Sequence, residues 1–168
     1  NLPGGRRSLD ADDFDIQNGY VELTAKSKAA TASTRVGRQE LLFGKQRLVS
    51  PLDWVNTRRT FDGLRGTIAL RIWTIDGFLA HPVRVLKSDF NRWDGAVDFF
   101  GLYAQKKAGP LPAMDLYWLG LSRATATFNG TTGREHRQTL GARLAGKGSK
   151  GKVEYDVEAA YQFGTLGL

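Results

Sequence analysis

The chain has no cysteine, two histidines, five prolines and one methionine among its 168 residues. Without thiols it forms no disulfide, no thiolate metal site and no cysteine nucleophile. His81 and His136 lack the partners of a triad and no metal-ligand spacing is present, so no enzyme, cofactor or metal centre is expected. No run approaches the ~18 apolar residues of a membrane helix, and no basic-then-apolar leader opens the chain. A start at Asn1 and an end on FGTLGL read as a piece of something longer. Acid is also in short supply. Seventeen Asp and Glu face 24 Lys and Arg, giving a net charge of +7 and a pI near 9.9. That balance suits an anionic partner such as nucleic acid, an acidic polysaccharide or lipid phosphate.

What the chain does have is alternation. Val153, Tyr155, Val157, Ala159, Tyr161 and Phe163 alternate with Glu154, Asp156, Glu158, Ala160 and Gln162, the period of a strand with two unlike faces. Upstream, Leu140, Ala142 and Leu144 alternate with Thr139, Gly141 and Arg143, and GKGSKGK supplies the turn of a long hairpin. Similar runs cover 15–26, 32–44, 64–71, 73–80, 94–105 and 114–129, predicting about eight antiparallel strands in one all-β unit over 1–168. Helix signals are few, although Ser50, Pro51, Leu52 and Asp53 predict one short turn.

Two solvents fit such strands: water, as a half-buried sheet, or an outer membrane, as a barrel wall. Several runs reach the ~9–11 residues that a tilted membrane strand needs, beyond the ~5–6 usual in globular sheets. Connections alternate between short (27–31, 71–73, 147–151) and long (45–61, 84–93, 106–113). The short link at 130–133 breaks the alternation unless a bulge shifts the register. Aromatics near strand ends, including Trp73, Trp93, Trp118, Tyr161 and Phe163, match the girdles of a barrel, although a soluble sandwich produces the same set.

Residues 35–65, RVGRQELLFGKQRLVSPLDWVNTRRTFDGLR, carry the pieces G-R-Q-E-L, D-W-x-N-T-R-R and F-D-G-x-R in order, followed by TIDGFLAHPV and DLYWLGLSR. From about Tyr20 to Tyr161 the chain resembles the alginate export family of bacterial outer-membrane proteins. The resemblance implies a large antiparallel transmembrane β-barrel in the bacterial outer membrane. Its basic lumen would pass an acidic exopolysaccharide, with outer-membrane lipid around it and periplasmic export components as partners. Complete members have more strands than are counted here, and the chain lacks a terminal aromatic, so it reads as a segment of a larger barrel. An eight-stranded barrel closed on itself is filled by side chains and leaves no polymer channel.

Passage of a polyuronate needs several moderate cationic sites rather than one trap. Arginine suits the task because its planar fork holds a carboxylate and stays charged. Arg38, Arg65, Arg71 and Arg143 are predicted on lumen faces, and Arg47, Arg58 and Arg59 on the long connection. Arg38, Arg59 and Arg65 rank first because they lie within the resembling motifs. The competing expectation is that these arginines only neutralise Asp76, Asp98, Glu154, Asp156 and Glu158. Trp54, Asn56 and Phe61 offer anchors by which the connection could fold inward, while Asp53 and Asp62 either orient the arginines or cap turns, the turn role being favoured. The acids Glu154, Asp156 and Glu158 read as a lumen row rather than a glycosidase pair, and GLRG as strand glycines rather than a phosphate loop. The leading function is a passive channel exporting an anionic exopolysaccharide. The alternatives are a porin for small anionic solutes and, with less support, a soluble basic β module that binds nucleic acid. The last would need aromatics beside basic residues on one face, whereas the best strand segregates them.

Overall fold

Period two along the chain becomes one antiparallel sheet. A computed structural model describes residues 16–52, 58–86, 89–109, 111–148 and 153–167. Its strands are β1 (Gly19–Lys26), β2 (Thr31–Gln39), β3 (Phe61–Ala69), β4 (Trp73–Arg84), β5 (Arg92–Trp93), β6 (Val97–Lys106), β7 (Ala113–Phe128), β8 (Thr131–Lys147) and β9 (Glu154–Gly167). Each pairs with its sequence neighbour, except that two-residue β5 hangs from the end of β4 and β6 takes the next place in the sheet. The sheet is open, with β1 and β9 at its edges. The expected eight strands are therefore all present, joined by one short extra strand.

The pairing register sorts side chains into two faces. On one lie Val21, Leu23, Val36, Leu64, Ile68, Ile75, Leu79, Leu102, Leu116, Trp118, Leu140, Leu144, Val157 and Tyr161, all brought into line by the ladders. These are the exposed hydrophobics: Leu23 is 72%, Leu79 62%, Leu102 53% and Val157 64% accessible. Through the middle of this face no charged residue occurs among the described residues, and a contiguous apolar surface of that extent belongs against lipid or protein rather than water. Charge returns only at the ends, with Arg38, Asp62, His81 and Asp98 at one end and Lys106 at the other. Just inside the first of these ends run Phe100, Trp118, Tyr161 and Phe163, with Phe100 and Trp118 edge to face at 5.6 Å and the Trp118 indole N–H donating to Gln138 at 2.7 Å. An amphipathic ring at a boundary between apolar and polar zones is what a girdle requires.

The opposite face is covered from within the chain. The connection after β2 lays Leu41, Phe43 and Val49 onto it, and these form a core with Phe61, Phe78, Ala80, Tyr103, Tyr117 and Leu119. Residues 40–44, expected to extend a strand, thus belong to the covering connection, where Gly44 (φ 56°) and Gln46 (φ 61°) turn the chain back. No helical turn forms at Ser50–Leu52; the Ser50 hydroxyl accepts from the Leu52 N–H at 3.0 Å, and Leu52 takes a φ of 59°. Asp53, Trp54 and Asn56 lie outside the described residues. Arg47 on this connection reaches Glu158 on β9, six ladders from β2. Six flat ladders span about 29 Å, and eight residues that double back fall well short of that. The sheet must therefore curl around the connection, which makes the covered face the inner one.

At 130–133 the short link is the tip of β7 and β8, which outrun their neighbours at the end bearing the long connections. The register shifts between Arg123 and Ala126, placing one extra residue on β7. The bulge bends the pair without changing which end its link occupies, so the two-residue link at 129–130 stays an exception among the long connections, as 107–112 is among the short ones.

Candidate functional site

The inner face is built around a stack of rings. Phe43 lies 4.9 Å from Tyr103 and 5.4 Å from Phe78, and Tyr103 lies 5.2 Å from Tyr117 with planes 6° apart. The stack is possible because Tyr117 sits over Gly141 on the next strand, where an added Cβ would come within 2.2 Å of the ring. Tyr103, Phe78 and Tyr117 belong to three adjacent strands, and Phe43 ties the connection to them. Of the two courses open to the connection, solvated or inward, the described part takes the inward one, with Phe43 and Phe61 in the core it covers; Trp54 and Asn56 lie outside the described residues.

Charged groups surround this stack in pairs. Arg65 on β3 donates through Nε and Nη2 to Asp76 at 2.9 and 2.8 Å. Asp76 is 1% exposed and also accepts from Thr67 Oγ1 at 2.6 Å. The Arg65 guanidinium stands 5.2 Å above the Phe43 ring, within cation–π reach. Arg143 on β8 holds both oxygens of Asp156 at 2.8 Å and Asp115 at 3.1 Å, and Asp115 accepts from the Tyr103 hydroxyl at 3.3 Å. Arg47 approaches the same acids from the connection, 2.6 Å from Glu158 and 3.5 Å from Asp156, while Tyr117 donates to Glu158 at 2.9 Å. The hydrogen bond to Glu158 raises the Arg47 pKa above its ordinary value, so this half-exposed guanidinium keeps its charge.

Three of the seven arginines named from the sequence, Arg47, Arg65 and Arg143, therefore meet on the inner face. Arg38 does not. Its register partner is Asp62, in line with Val36 and Leu64 on the outward face, and it sits at the polar end of that face. There it holds Asp62 at 2.8 and 3.0 Å and the Asn91 carbonyl at 2.8 Å, so Asp62 orients an arginine instead of capping a turn. Arg71 is exposed in the tight turn whose Leu70 N–H meets Trp73 O at 2.7 Å. Arg58 pairs with Glu40 at 2.9 Å, and exposed Arg59 contributes its backbone N–H to Pro51 O at 2.7 Å. Of the acids expected to balance the lumen, Asp76, Asp156 and Glu158 do so. Asp98 faces the other way against His81 at 3.3 Å, and Glu154 pairs with Lys147 at 2.8 Å.

Arg35 was not among the predicted residues. It lies directly opposite Arg65 on the inner face, and each carries its own acid, Arg35 holding Glu22 at 2.7 Å and covering the Tyr20 ring at 4.0 Å. Like charges across a ladder are unfavourable unless each is neutralised, which accounts for the two separate acids. The alternation Thr34, Arg35, Val36 was the available signal.

A family model for alginate export matches residues 1–167, essentially the whole chain. The chain belongs to the alginate export family. Its members are outer-membrane β-barrel channels for exopolysaccharide rather than enzymes, and the open nine-stranded sheet is a partial barrel of that kind. Comparison with curated proteins and with solved structures yields no match. Among the described residues no cluster of His, Asp and Glu suited to a metal ion occurs, and no helix is long and apolar enough to cross a membrane. Neither fact bears on strands, which are how alginate export proteins cross.

Proposed function

We propose that this alginate export chain forms part of the wall of a passive outer-membrane channel that exports an anionic, alginate-like exopolysaccharide, with its inner arginines serving the polymer in passing. The observation that carries the reading is the inner ladder of arginines, each already paired with a carboxylate: Arg65 with Asp76, Arg143 with Asp156 and Arg47 with Glu158. Where the arginine is open to water and its displaced acid keeps another donor, as Glu158 keeps Tyr117, a uronate carboxylate can replace that acid with little net change in energy, because one charge-assisted pair replaces another. Sites of that kind attract without trapping, which a moving polymer requires. Arg47 suits the exchange best, since its side chain is 46% exposed, whereas Arg143 is 9% exposed and serves mainly to hold the wall together. Lipid meets the outward face, and periplasmic export components would deliver the polymer.

The full-length protein in a planar bilayer tests this. An anion-selective current that polymannuronate blocks, with Arg47→Gln weakening the block by about three- to tenfold as expected for a half-exposed ion pair, supports export. A current carried by small anions and indifferent to polymannuronate would instead make the protein a small-anion porin.

A further inference from the structure

A second charged group lies away from the ring stack, at the end of the sheet that bears the long connections. Beside the register shift in β7 lies a cleft between β7, β8 and β9, with Arg123, Phe128, Glu135, Arg137 and Gln162 along it. Glu135 is 8% exposed, and its Oε2 has no hydrogen-bond partner among the described residues. Its other oxygen accepts from Arg137 Nη2. Arg123 Nη1 stands 3.6 Å from Oε2, near enough for attraction and too far for a hydrogen bond. Both arginine side chains are open to solvent, 44% and 42% exposed. Gly164 lies opposite Arg137 across the ladder, where the β8 backbone approaches too closely for a Cβ.

A buried carboxylate oxygen without a donor is unfavourable, and a ligand hydroxyl brought to it would remove that deficit. Among the described residues Arg123 has no hydrogen-bond partner that a ligand must first displace, so it is available for an incoming carboxylate. A small inorganic anion would engage the guanidiniums and leave Oε2 unsatisfied, and a neutral sugar would do the reverse. A sugar unit carrying both a carboxylate and hydroxyls satisfies both.

We propose that Arg123, Glu135 and Arg137 form a uronate subsite at this end of the sheet, separate from the arginines around Phe43. The proposal rests on the export reading and locates one place where the polymer is held. Outer-membrane barrels carry their longer loops on the extracellular side, so the subsite belongs to the exit mouth. Calorimetric titration of the full-length protein with a mannuronate tetrasaccharide, and with a mannose tetrasaccharide as the neutral control, tests it. Wild type should bind the first and not the second, and the double variant R123Q/R137Q should bind at least about tenfold more weakly, the loss expected for charge-assisted hydrogen bonds. Should the double variant not fold, R123Q alone carries the test because it removes no hydrogen bond. Wild-type binding that R123Q/R137Q leaves within twofold, or equal binding of the neutral sugar, would overturn the subsite and leave the export reading standing. No wild-type binding of the charged sugar would remove both.

Discussion

At the scale of the residue, Asp76 is the acid on which the inner face depends most. It is almost fully buried, and it gathers Arg65 and Thr67 at the level where Arg65 also meets the Phe43 ring. Removing it strands a guanidinium that is only partly open to water, so Asp76→Ala should destabilise the folded protein by about 2–3 kcal/mol, below the full range for a wholly buried pair. A urea midpoint measured on the refolded protein in detergent checks this, and an unchanged midpoint would show that water already satisfies Arg65. Residue identity was legible from the sequence where it coincided with a change of solvent. Glu154, Asp156 and Glu158 are legible as inward because the residues that alternate with them, Tyr155, Val157 and then Ala159, are apolar and face outward. Arg38 was misplaced because polarity stops marking the face at a strand end, where the outward face itself turns polar. Gly37 adds to the irregularity there, with a φ of 127° and no room for a Cβ, which would lie 2.4 Å from the Gly19 carbonyl.

At the scale of the element, the connection after β2 gives the inner face its shape. It is pinned by rings at Phe43 and by an ion pair at Arg47, and both pins are to strands distant from β2. Releasing them together by Phe43→Ala and Arg47→Gln should free the connection from the inner face and raise the single-channel conductance of the full-length protein. A conductance equal to that of wild type would mean that the connection does not narrow the pore. The strands themselves were legible because lipid-length alternation is strong in β8 and β9. The connection was not, since Leu41, Phe43 and Val49 are apolar in a pattern that continues the strand before them, and only the positive φ at Gly44 and Gln46 breaks it. Loop lengths left a bulge as one possibility near 130–133, and only the pairing register places it, on β7 between Arg123 and Ala126.

At the scale of the molecule, two faces of one sheet meet two environments. The outward face is apolar in its middle and bounded by a row of aromatics and then by charge, while the inward face holds rings, paired arginines and acids beneath the connection. Tyr155 to Phe163 covers nine residues of outward and inward alternation, enough for a tilted strand to cross the hydrocarbon core. The open edges at β1 and β9 leave backbone donors and acceptors that lipid cannot satisfy, so in a membrane both edges must pair with further strands.

The chain's lack of cysteine makes the central claim directly measurable. Ala159 and Ala160 are small, adjacent and exposed, and the register places Ala159 outward beside Ala142 and Ala160 inward beside Gly141. In the full-length protein embedded in vesicles, Ala160→Cys should react with a charged, water-soluble maleimide. Ala159→Cys should resist that reagent, and an environment-sensitive fluorophore attached to it before reconstitution should be quenched by nitroxide-labelled lipid. Equal reaction of both cysteines with the water-soluble reagent, with no quenching by lipid, would contradict the assignment of the outward face to the membrane and the channel account with it.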